Sequence, residues 1–367
     1  MIAASLLRWA ALGALTLYLP VAIGERTERS SSRALIIDSV VGRCDECGAP
    51  FDLGRIQFVS PQIGWAVGEH LPVEGNGSGV STILHTIDGG RTWRRLLSVW
   101  QHGAEAGPAF WFLDARHGWA SWVDESAVHH LSRTTDGGES WQKLPSPPGQ
   151  ASAALQFFDA ENGISIDTRL NEKPLFGATV DAGKTWTTKQ LPIRYVAQTW
   201  FLDRGVGWVV GKTDEGRLTV LKTVDGGVNW AASQVADVPY EFARACDWID
   251  RTNGWLIAWL TDGGGSHLFR TTDGGTTWHR HEDESFQGKG KYLKAIRFLT
   301  KQTGYAFFDD TDTDSHYVLS TRNGGDTWER TPLKQGVSSC QAVGRDLWCG
   351  AGMELLKFST SSSGASR

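Results

Sequence analysis

An eight-residue motif that recurs six times constrains the fold of this chain more than any other feature. The copies span residues 86–93, 134–141, 179–186, 223–230, 271–278 and 321–328, at intervals of 44 to 50 residues. Their shared pattern is Thr-x-Asp-Gly-Gly-x-Thr-Trp, with a single substitution in each of four copies. Asp-Gly-Gly favours a tight hairpin turn, because glycine readily adopts positive φ and aspartate bonds the turn amides. Each copy is therefore predicted to connect two antiparallel strands.

The motif residues are predicted to build turns and not active sites. The aspartate bonds within its own turn, and the tryptophan after the turn covers the hairpin. The positions concerned are Asp88, Trp93, Asp136, Trp141, Asp181, Trp186, Asp225, Trp230, Asp273, Trp278, Asn323 and Trp328. Within the Asp-Gly-Gly part, two copies are substituted without losing turn chemistry, since Ala182 replaces a glycine and Asn323 replaces the aspartate.

A second motif precedes each turn and consists of an aromatic residue with glycine six places later. The copies are Phe58/Gly64, Phe112/Gly118, Phe157/Gly163, Phe201/Gly207, Trp248/Gly254 and Phe298/Gly304. Each unit thus reads as four antiparallel strands in under 50 residues, which is one blade of a β-propeller. The 18 tryptophans and 43 glycines of the chain suit such repeated aromatic positions and turns.

The number of blades follows from the two ends of the repeat region. Six units are complete, and residues 337–360 supply three strands of a seventh. The missing outer strand is predicted at Ala34–Val41, before the first inner strand. Sharing the last blade between both termini closes the ring and removes exposed sheet edges. We therefore expect an all-β chain with one seven-bladed β-propeller over residues 34–360.

The N-terminus is predicted to be a targeting segment. Arg8 is followed by an uncharged run from Trp9 to Ile23, with small residues at Ala22 and Gly24. This run is shorter than the roughly 20 residues of a membrane-spanning helix, so residues 1–24 are expected to be a cleaved signal peptide. The alternative is an uncleaved N-terminal anchor. Residues 25–33 would be a polar linker and 361–367 a disordered tail. The expected product is an exported, periplasmic or otherwise extracytoplasmic monomer with no membrane span after signal removal.

Charge and motif content exclude several functions. The net charge of −5 argues against nucleic-acid binding, which needs a basic excess. No serine-hydrolase elbow, zinc-protease helix or phosphate loop occurs, and we expect no metal or cofactor. The run Asp309–Asp314 lacks the turn glycine and closing glutamate of a calcium loop. His129 and His130 would point to opposite faces of one strand, and both are expected at the surface.

The turn motif resembles the Asp-box, or bacterial neuraminidase, repeat. Its pairing with Gly64-Trp65-Ala66-Val67-Gly68 is similar to the photosystem II assembly and stability factor family of seven-bladed propellers. The resemblance covers roughly residues 55–335 and implies a non-enzymatic, exported scaffold that binds a protein partner and helps to assemble a membrane protein complex. It also implies a patch of basic residues for partner binding. The candidates for that patch are Arg55, Arg194, Arg244, Arg297, Lys291 and Lys294.

An exported glycoside hydrolase is the alternative, because Asp boxes also occur in sialidases and in propeller endoglucanases. A sialidase needs three converging arginines and a tyrosine activated by glutamate, and no tyrosine here follows such a pattern. Other glycosidases need two facing carboxylates, which 41 acidic residues could supply. The propeller endoglucanases form their cleft from two propellers, whereas this chain has residues for one. We therefore expect no enzymatic activity.

Five cysteines occur in a chain that is expected to be exported, where disulfides form. A two-residue turn at Gly344-Arg345 would place Cys340 directly opposite Cys349, within bridging distance. We predict this disulfide in the closing blade. The alternative joins Cys340 to Cys44 or Cys47 as a clasp between the termini. Cys246 is expected to be a free, buried thiol.

Overall fold

The structure is a computed structural model. It describes residues 35–45, 47, 51–69, 79–101, 108–124, 126, 128–147, 149, 152–167, 173–235, 240–260, 266–281, 286 and 290–360. The predicted signal peptide, linker and C-terminal tail lie outside these residues. In the described part, no helix has the length and apolar character needed to cross a membrane.

Strands of the described residues form seven four-stranded antiparallel sheets, here called blades. A first strand, β1 (Leu35–Val41), precedes blade 1. Blade 1 contains β2 (Asp52–Phe58), β3 (Gly64–Glu69), β4 (Gly79–Thr86) and β5 (Arg94–Gln101). Blade 2 contains β6 (Ala109–Phe112), β7 (Gly118–Val123), β8 (His129–Thr134) and β9 (Gln142–Leu144). Blade 3 contains β10 (Ser152–Phe157), β11 (Gly163–Asp167), β12 (Leu175–Thr179) and β13 (Thr187–Gln190).

The remaining blades follow the same order. Blade 4 contains β14 (Tyr195–Phe201), β15 (Gly207–Lys212), β16 (Leu218–Thr223) and β17 (Ala231–Gln234). Blade 5 contains β18 (Tyr240–Trp248), β19 (Gly254–Leu260), β20 (Ser266–Thr271) and β21 (His279–Arg280). Blade 6 contains β22 (Lys291–Phe298), β23 (Gly304–Asp310), β24 (Ser315–Thr321) and β25 (Glu329–Leu333). Blade 7 contains β26 (Ser339–Val343), β27 (Asp346–Ala351), β28 (Glu354–Thr360) and β1.

Blade 7 confirms the predicted closure of the ring by both ends of the chain. Strand β1 pairs with β28 over its whole length, from Leu35 opposite Thr360 to Val41 opposite Glu354. First strands of successive blades contact one another in the pairs β6 with β10, β14 with β18, β18 with β22, β22 with β26, and β26 with β2. We call the face where these first strands begin the upper face, and the opposite one the lower face. The fold is therefore the predicted seven-bladed propeller.

The Asp boxes form the turns between the third and fourth strands, on the lower face. In blade 1, the Thr86 hydroxyl donates to Asp88 Oδ1 at 2.8 Å and accepts from the Gly90 amide at 2.9 Å. Asp88 also accepts from the Thr92 amide and hydroxyl, at 2.9 and 2.7 Å. The box with Asn323 keeps the contacts to Oδ1, and its Nδ2 donates to Thr327 Oγ1. These closed networks agree with a structural role of the motif.

A stacked aromatic pair joins the neighbouring blades at four of the seven boundaries. Phe112 of blade 2 stacks on Trp65 of blade 1 with ring centroids 3.7 Å apart, and the box residue Trp141 meets it edge-on at 6.2 Å. Stacks at 3.5 to 3.9 Å also join Trp119 to Phe157, Trp208 to Trp248 and Trp255 to Phe298. Each buried aromatic pair adds about 0.5–1.5 kcal/mol beyond the burial of its area.

The stacked tryptophans also connect the two sequence motifs by hydrogen bonds. The Trp65 indole N–H of blade 1 donates to the Gly137 carbonyl in the box of blade 2, at 3.1 Å. Trp119 donates in the same way to Ala182 at 3.0 Å, and Trp208 to Gly274 at 2.9 Å. At these three boundaries, the tryptophan after the glycine of one blade thus binds the Asp box of the next blade.

Blade 3 departs from this arrangement because Ile164 stands where blades 1, 2, 4 and 5 have tryptophan and blade 6 has tyrosine. A different side chain fills the boundary with blade 4. Phe176 on β12 lies parallel to Phe201 at 6.1 Å and edge-on to the box residue Trp230 at 5.4 Å. The aromatic contact between these blades is therefore made from the third strand in place of the second.

The glycine of the second motif is required by the aromatic residue six places before it. A Cβ atom on Gly118 would lie 2.3 Å from the Phe112 ring. That ring is held between Trp65 and Trp141 and has no space to retreat. The same close approach of glycine to ring occurs in all six copies of the motif.

Replacing Gly118 with alanine should therefore lower the free energy of unfolding by about 2–3 kcal/mol, as expected for overpacking of a filled core. Urea unfolding measures the effect. Gly205→Ala is the matched control, because its Cβ would meet nothing closer than Asp203 Oδ1 at 3.4 Å. The control should change stability by no more than about 0.5 kcal/mol. Equal midpoints for the two variants would contradict the role given to the glycine.

One disulfide lies within blade 7, and a second lies in the segment that follows β1. Cys340 on β26 pairs directly with Cys349 on β27, and their Cα atoms lie 4.1 Å apart. The turn between them holds Gly344 at a φ of 65°, as the predicted turn requires. Cys44 is bonded to Cys47 beside the link from β1 to blade 1, and Cys246 is a free, buried thiol.

Peptide mapping without reduction should find Cys340 joined to Cys349. Replacing both with alanine should lower the free energy of unfolding by about 2–3 kcal/mol, because the bond closes a short loop of the unfolded chain. Cys246→Ala controls for the loss of a buried sulfur and should cost about 1 kcal/mol. A peptide linking Cys340 to Cys44 or Cys47 would show that the termini are clasped instead.

Candidate functional site

The channel of the propeller holds a cavity of about 700 Å³. All seven first strands line it, from β2 in blade 1 to β26 in blade 7. Three charged residues are among the lining residues, namely Arg55, Asp247 and Arg297. Because every blade contributes a strand, residues at equivalent positions of the repeat face one another across the cavity.

One position of each blade forms what we call the channel ring. In six blades the residue directly precedes the aromatic residue of the second motif, and blade 7 contributes the equivalent residue. The ring consists of Gln57, Trp111, Gln156, Trp200, Asp247, Arg297 and Gln341, all of which line the cavity. Four types of side chain, glutamine, tryptophan, aspartate and arginine, thus occupy the same position of the repeat.

The glutamines of the ring join neighbouring blades. The Gln57 amide accepts from the Phe112 N–H at 2.9 Å and donates to the Phe112 carbonyl at 2.8 Å. Gln341 makes the same pair of bonds to Phe58, at 2.6 and 3.0 Å. Gln156 donates to the Phe201 carbonyl at 3.2 Å. A neutral amide therefore satisfies both backbone groups of the adjoining first strand.

Asp247 makes only part of this connection, because an ionised carboxylate accepts hydrogen bonds and donates none. Its Oδ2 accepts from the Phe298 N–H at 2.5 Å, and the residue is 2 % exposed. Burial raises the pKa of Asp247 to about 6, although the nearby Arg297 charge and the bonds from the backbone amides act in the opposite direction.

Arg297 is bound to three blades and is not a free cation of the surface. Its Nε donates to the Cys340 carbonyl of blade 7 at 2.9 Å, and its Nη1 to the Ile296 carbonyl at 2.8 Å. Nη1 also lies 4.0 Å from Asp247 Oδ1. The guanidinium carbon stands 5.4 Å from the centre of the Trp200 ring in blade 4. A substitution of Arg297 would therefore disturb stability as well as binding.

Arg55 is the charged residue of the cavity whose charge is least balanced by neighbouring groups. Among the described residues no carboxylate forms an ion pair with it, and its guanidinium carbon lies 5.7 Å from the centre of the Phe110 ring. The side chain is exposed to solvent, so an incoming ligand can reach its guanidinium group. The group is placed to accept an anionic partner.

The two ring tryptophans contribute aromatic surface to the cavity lining. The indole N–H groups of Trp111 and Trp200 are shielded from solvent and have no hydrogen-bond partner among the described residues. Because a shielded N–H cannot reach a ligand, the positive character of the lining rests on Arg55 and Arg297.

The other predicted basic residues lie outside the cavity lining. Arg194 is exposed directly before β14, at the upper face. Lys291 is half-buried at the start of β22, and Lys294 forms an ion pair with Asp309 at 3.3 Å. The side chain of Arg244 lies outside what the structure describes. The six candidates therefore divide into the cavity pair of Arg55 and Arg297 and a more distant group.

One expectation for histidine was wrong. His129 is buried, and its ring Nε2 forms a hydrogen bond with Ser121 Oγ of the neighbouring strand at 2.6 Å. His130 is half-buried, and its Nε2 lies 2.7 Å from Asp124 Oδ2. Two other residues of the site, Asp247 and Trp200, were not predicted from the sequence. Their position, directly before a motif aromatic, was visible in the alignment of the repeats and could have identified them.

Comparison with known proteins reveals similarity in fold. No family model and no curated protein sequence matches the chain. The solved structure of YCF48 bound to a D1 peptide is similar, with a TM-score of 0.63, 17% identity, and coverage of 89% of this chain and 97% of that one. YCF48 from Cyanidioschyzon merolae gives a TM-score of 0.60 and 18% identity over 88% of this chain and 98% of that one.

A glycoside hydrolase of the GH74 class is also similar. The enzyme from Niastella koreensis gives a TM-score of 0.57 and 14% identity over 82% of this chain, which spans 50% of the enzyme's length. YCF48 is a photosystem II assembly factor. The resemblance found in the sequence motifs therefore holds at the level of the fold.

Asp247→Asn tests the buried carboxylate. An unfolded aspartate has a pKa of about 3.9, so the folded chain keeps the proton over a range in which the unfolded chain has lost it. The stability that Asp247 contributes is complete below about pH 4 and is lost as the pH rises through about 6. The variant should be more stable than the parent at pH 7.5, by about 1–3 kcal/mol, and lack this advantage at pH 4. Denaturant unfolding at both pH values, with Asp38→Asn as the exposed control, measures the difference; equal effects at both values would contradict it.

Proposed function

We propose that this chain is an exported, non-enzymatic scaffold that binds an acidic segment of a protein partner at the channel, in the assembly or stabilisation of a membrane protein complex. The observation that carries the proposal is the excess of positive charge in the cavity lining. Two guanidinium groups face one carboxylate there, in a chain whose overall charge is negative. A localised positive site on an acidic protein favours a negatively charged partner and steers its approach.

The likeness to YCF48 supports a peptide as the form of the partner. YCF48 has been solved with a D1 peptide bound, and the present chain covers 97% of that structure. Arginine recognises carboxylates through paired N–H groups, which suits an acidic peptide side chain or terminus. Arg194 at the upper face would extend the contact beyond the cavity.

The chemistry of the cavity disfavours a glycosidase. Hydrolysis of a glycosidic bond needs two facing carboxyl groups, about 5 to 9.5 Å apart. Among the described lining residues, Asp247 supplies one, and it is engaged with the Phe298 amide and Arg297. The enzyme of similar fold is about twice as long as the matched region. Xyloglucan and sialosides should therefore release no product with the purified chain.

Charge reversal at Arg55 and Arg194 tests partner binding. The immobilised protein is incubated with detergent-solubilised membranes of the source organism, crosslinked, and the captured proteins are identified by mass spectrometry. The variant with Arg55→Glu and Arg194→Glu should lose at least about tenfold of the captured partner, because each glutamate repels an acidic segment.

Arg345→Glu is the matched control, since Arg345 is exposed in the turn after β26, on the lower face. It changes the charge by the same amount per residue and should leave capture unchanged. Thermal unfolding of all variants confirms that they fold. Equal capture by the upper-face variant and the control would contradict the proposed site, and product release from a glycan that depends on Asp247 would contradict the non-enzymatic function.

A further inference from the structure

Asp247 occupies a position at which three other blades use glutamine. Gln57, Gln156 and Gln341 connect their blades to the next as neutral groups. A buried carboxylate in this place is costly, because removing an ion from water is only partly offset by its partners. The neutral amide shows that the connection between blades needs no charge. The charge of Asp247 therefore calls for a role other than joining blades.

The carboxylate faces the one guanidinium group of the ring. Asp247 Oδ1 lies 4.0 Å from Arg297 Nη1, and both side chains line the cavity. Arg297 is held in place by the Cys340 and Ile296 carbonyls, independently of Asp247. Loss of the negative charge would thus leave the arginine in position but without its counterion.

We propose that the ionisation of Asp247 controls how strongly the channel binds an acidic segment, an inference that rests on the function proposed above. With Asp247 ionised, the charged lining residues sum to one positive charge, and Asp247 competes with the segment for Arg297. With Asp247 protonated, Arg55 and Arg297 are both uncompensated. Binding of an acidic partner is therefore stronger in acid than at neutral pH.

The surroundings of Asp247 support a transition in the right range. Burial raises its pKa to about 6, and Arg297 on β22 is the charged group that opposes this shift. On its own strand, Cys246 stays neutral because burial raises the pKa of its thiol to about 12. The neighbouring strands present the uncharged Trp255, paired opposite Asp247 on β19, and Trp200 on β14. Arg55 on β2 lies across the cavity.

The test uses a fluorescein-labelled decapeptide of alternating aspartate and alanine, which stays ionised at pH 5 because free aspartate has a pKa of about 3.9. Fluorescence anisotropy gives its Kd at pH 5.0 and 7.5 and at constant salt. The parent should bind about five- to tenfold more tightly at pH 5.0, a typical coupling between two sites. Asp247→Asn, which imitates the protonated acid, should bind tightly at both pH values.

Three comparisons separate the possible outcomes. Asp38→Asn changes the net charge equally on the exposed outer strand β1 and should keep the pH dependence of the parent. If Asp247→Asn keeps that dependence too, or if the parent shows none while Arg55→Glu weakens binding, the inference is wrong and the proposed function stands. A parent that binds the peptide at neither pH, or an Arg55→Glu variant that binds as the parent does, contradicts the proposed function itself. The same peptide with asparagine in place of aspartate should not bind.

Discussion

The packing of aromatic rings across the boundaries between blades is the interaction on which the propeller depends. It fixes the distance between sheets, as in Phe112 on Trp65, and it brings the indole N–H to the next Asp box. The glycine six places after the aromatic exists because the ring fills the space of a side chain. Turn, ring and glycine are thus parts of one contact that crosses the boundary between blades, and neither sequence motif is complete within its own blade.

This mutual dependence explains why the fold could be predicted from the sequence. Residues that must meet the same packing requirement six times leave a visible period. The outer strand that residues 337–360 lack indicated where the strand before blade 1 belongs. The boundary between blades 3 and 4 was not predicted. There Phe176 takes over from the absent tryptophan, and a single substitution on a different strand leaves no periodic pattern to detect.

The candidate site was only partly predictable for the same reason. A repeat reveals what its copies share, whereas the channel ring is defined by differences at one position, where glutamine, tryptophan, aspartate and arginine alternate. Arg55 and Arg297 were expected from charge and strand position. The link between Arg297 and Asp247 was not, because these residues lie on different strands some 50 positions apart and meet only when neighbouring blades pack. The internal bonds of Arg297 likewise depend on carbonyl groups whose location the sequence does not reveal.

The shared seventh blade imposes an order on how the molecule is made. Leu35 and Thr360 are paired across more than 300 residues, so β1 leaves the ribosome long before its partner strand β28 has been made. Closing such a distant contact is slow, because the entropy of the intervening chain must be overcome before the contact is gained. Until β28 is present, the apolar side chains of β1 have no partner strand, and the six complete blades form an open arc. Synthesis of the whole chain is thus a precondition for a closed channel, and a truncated product would lack the site as well as the seventh blade.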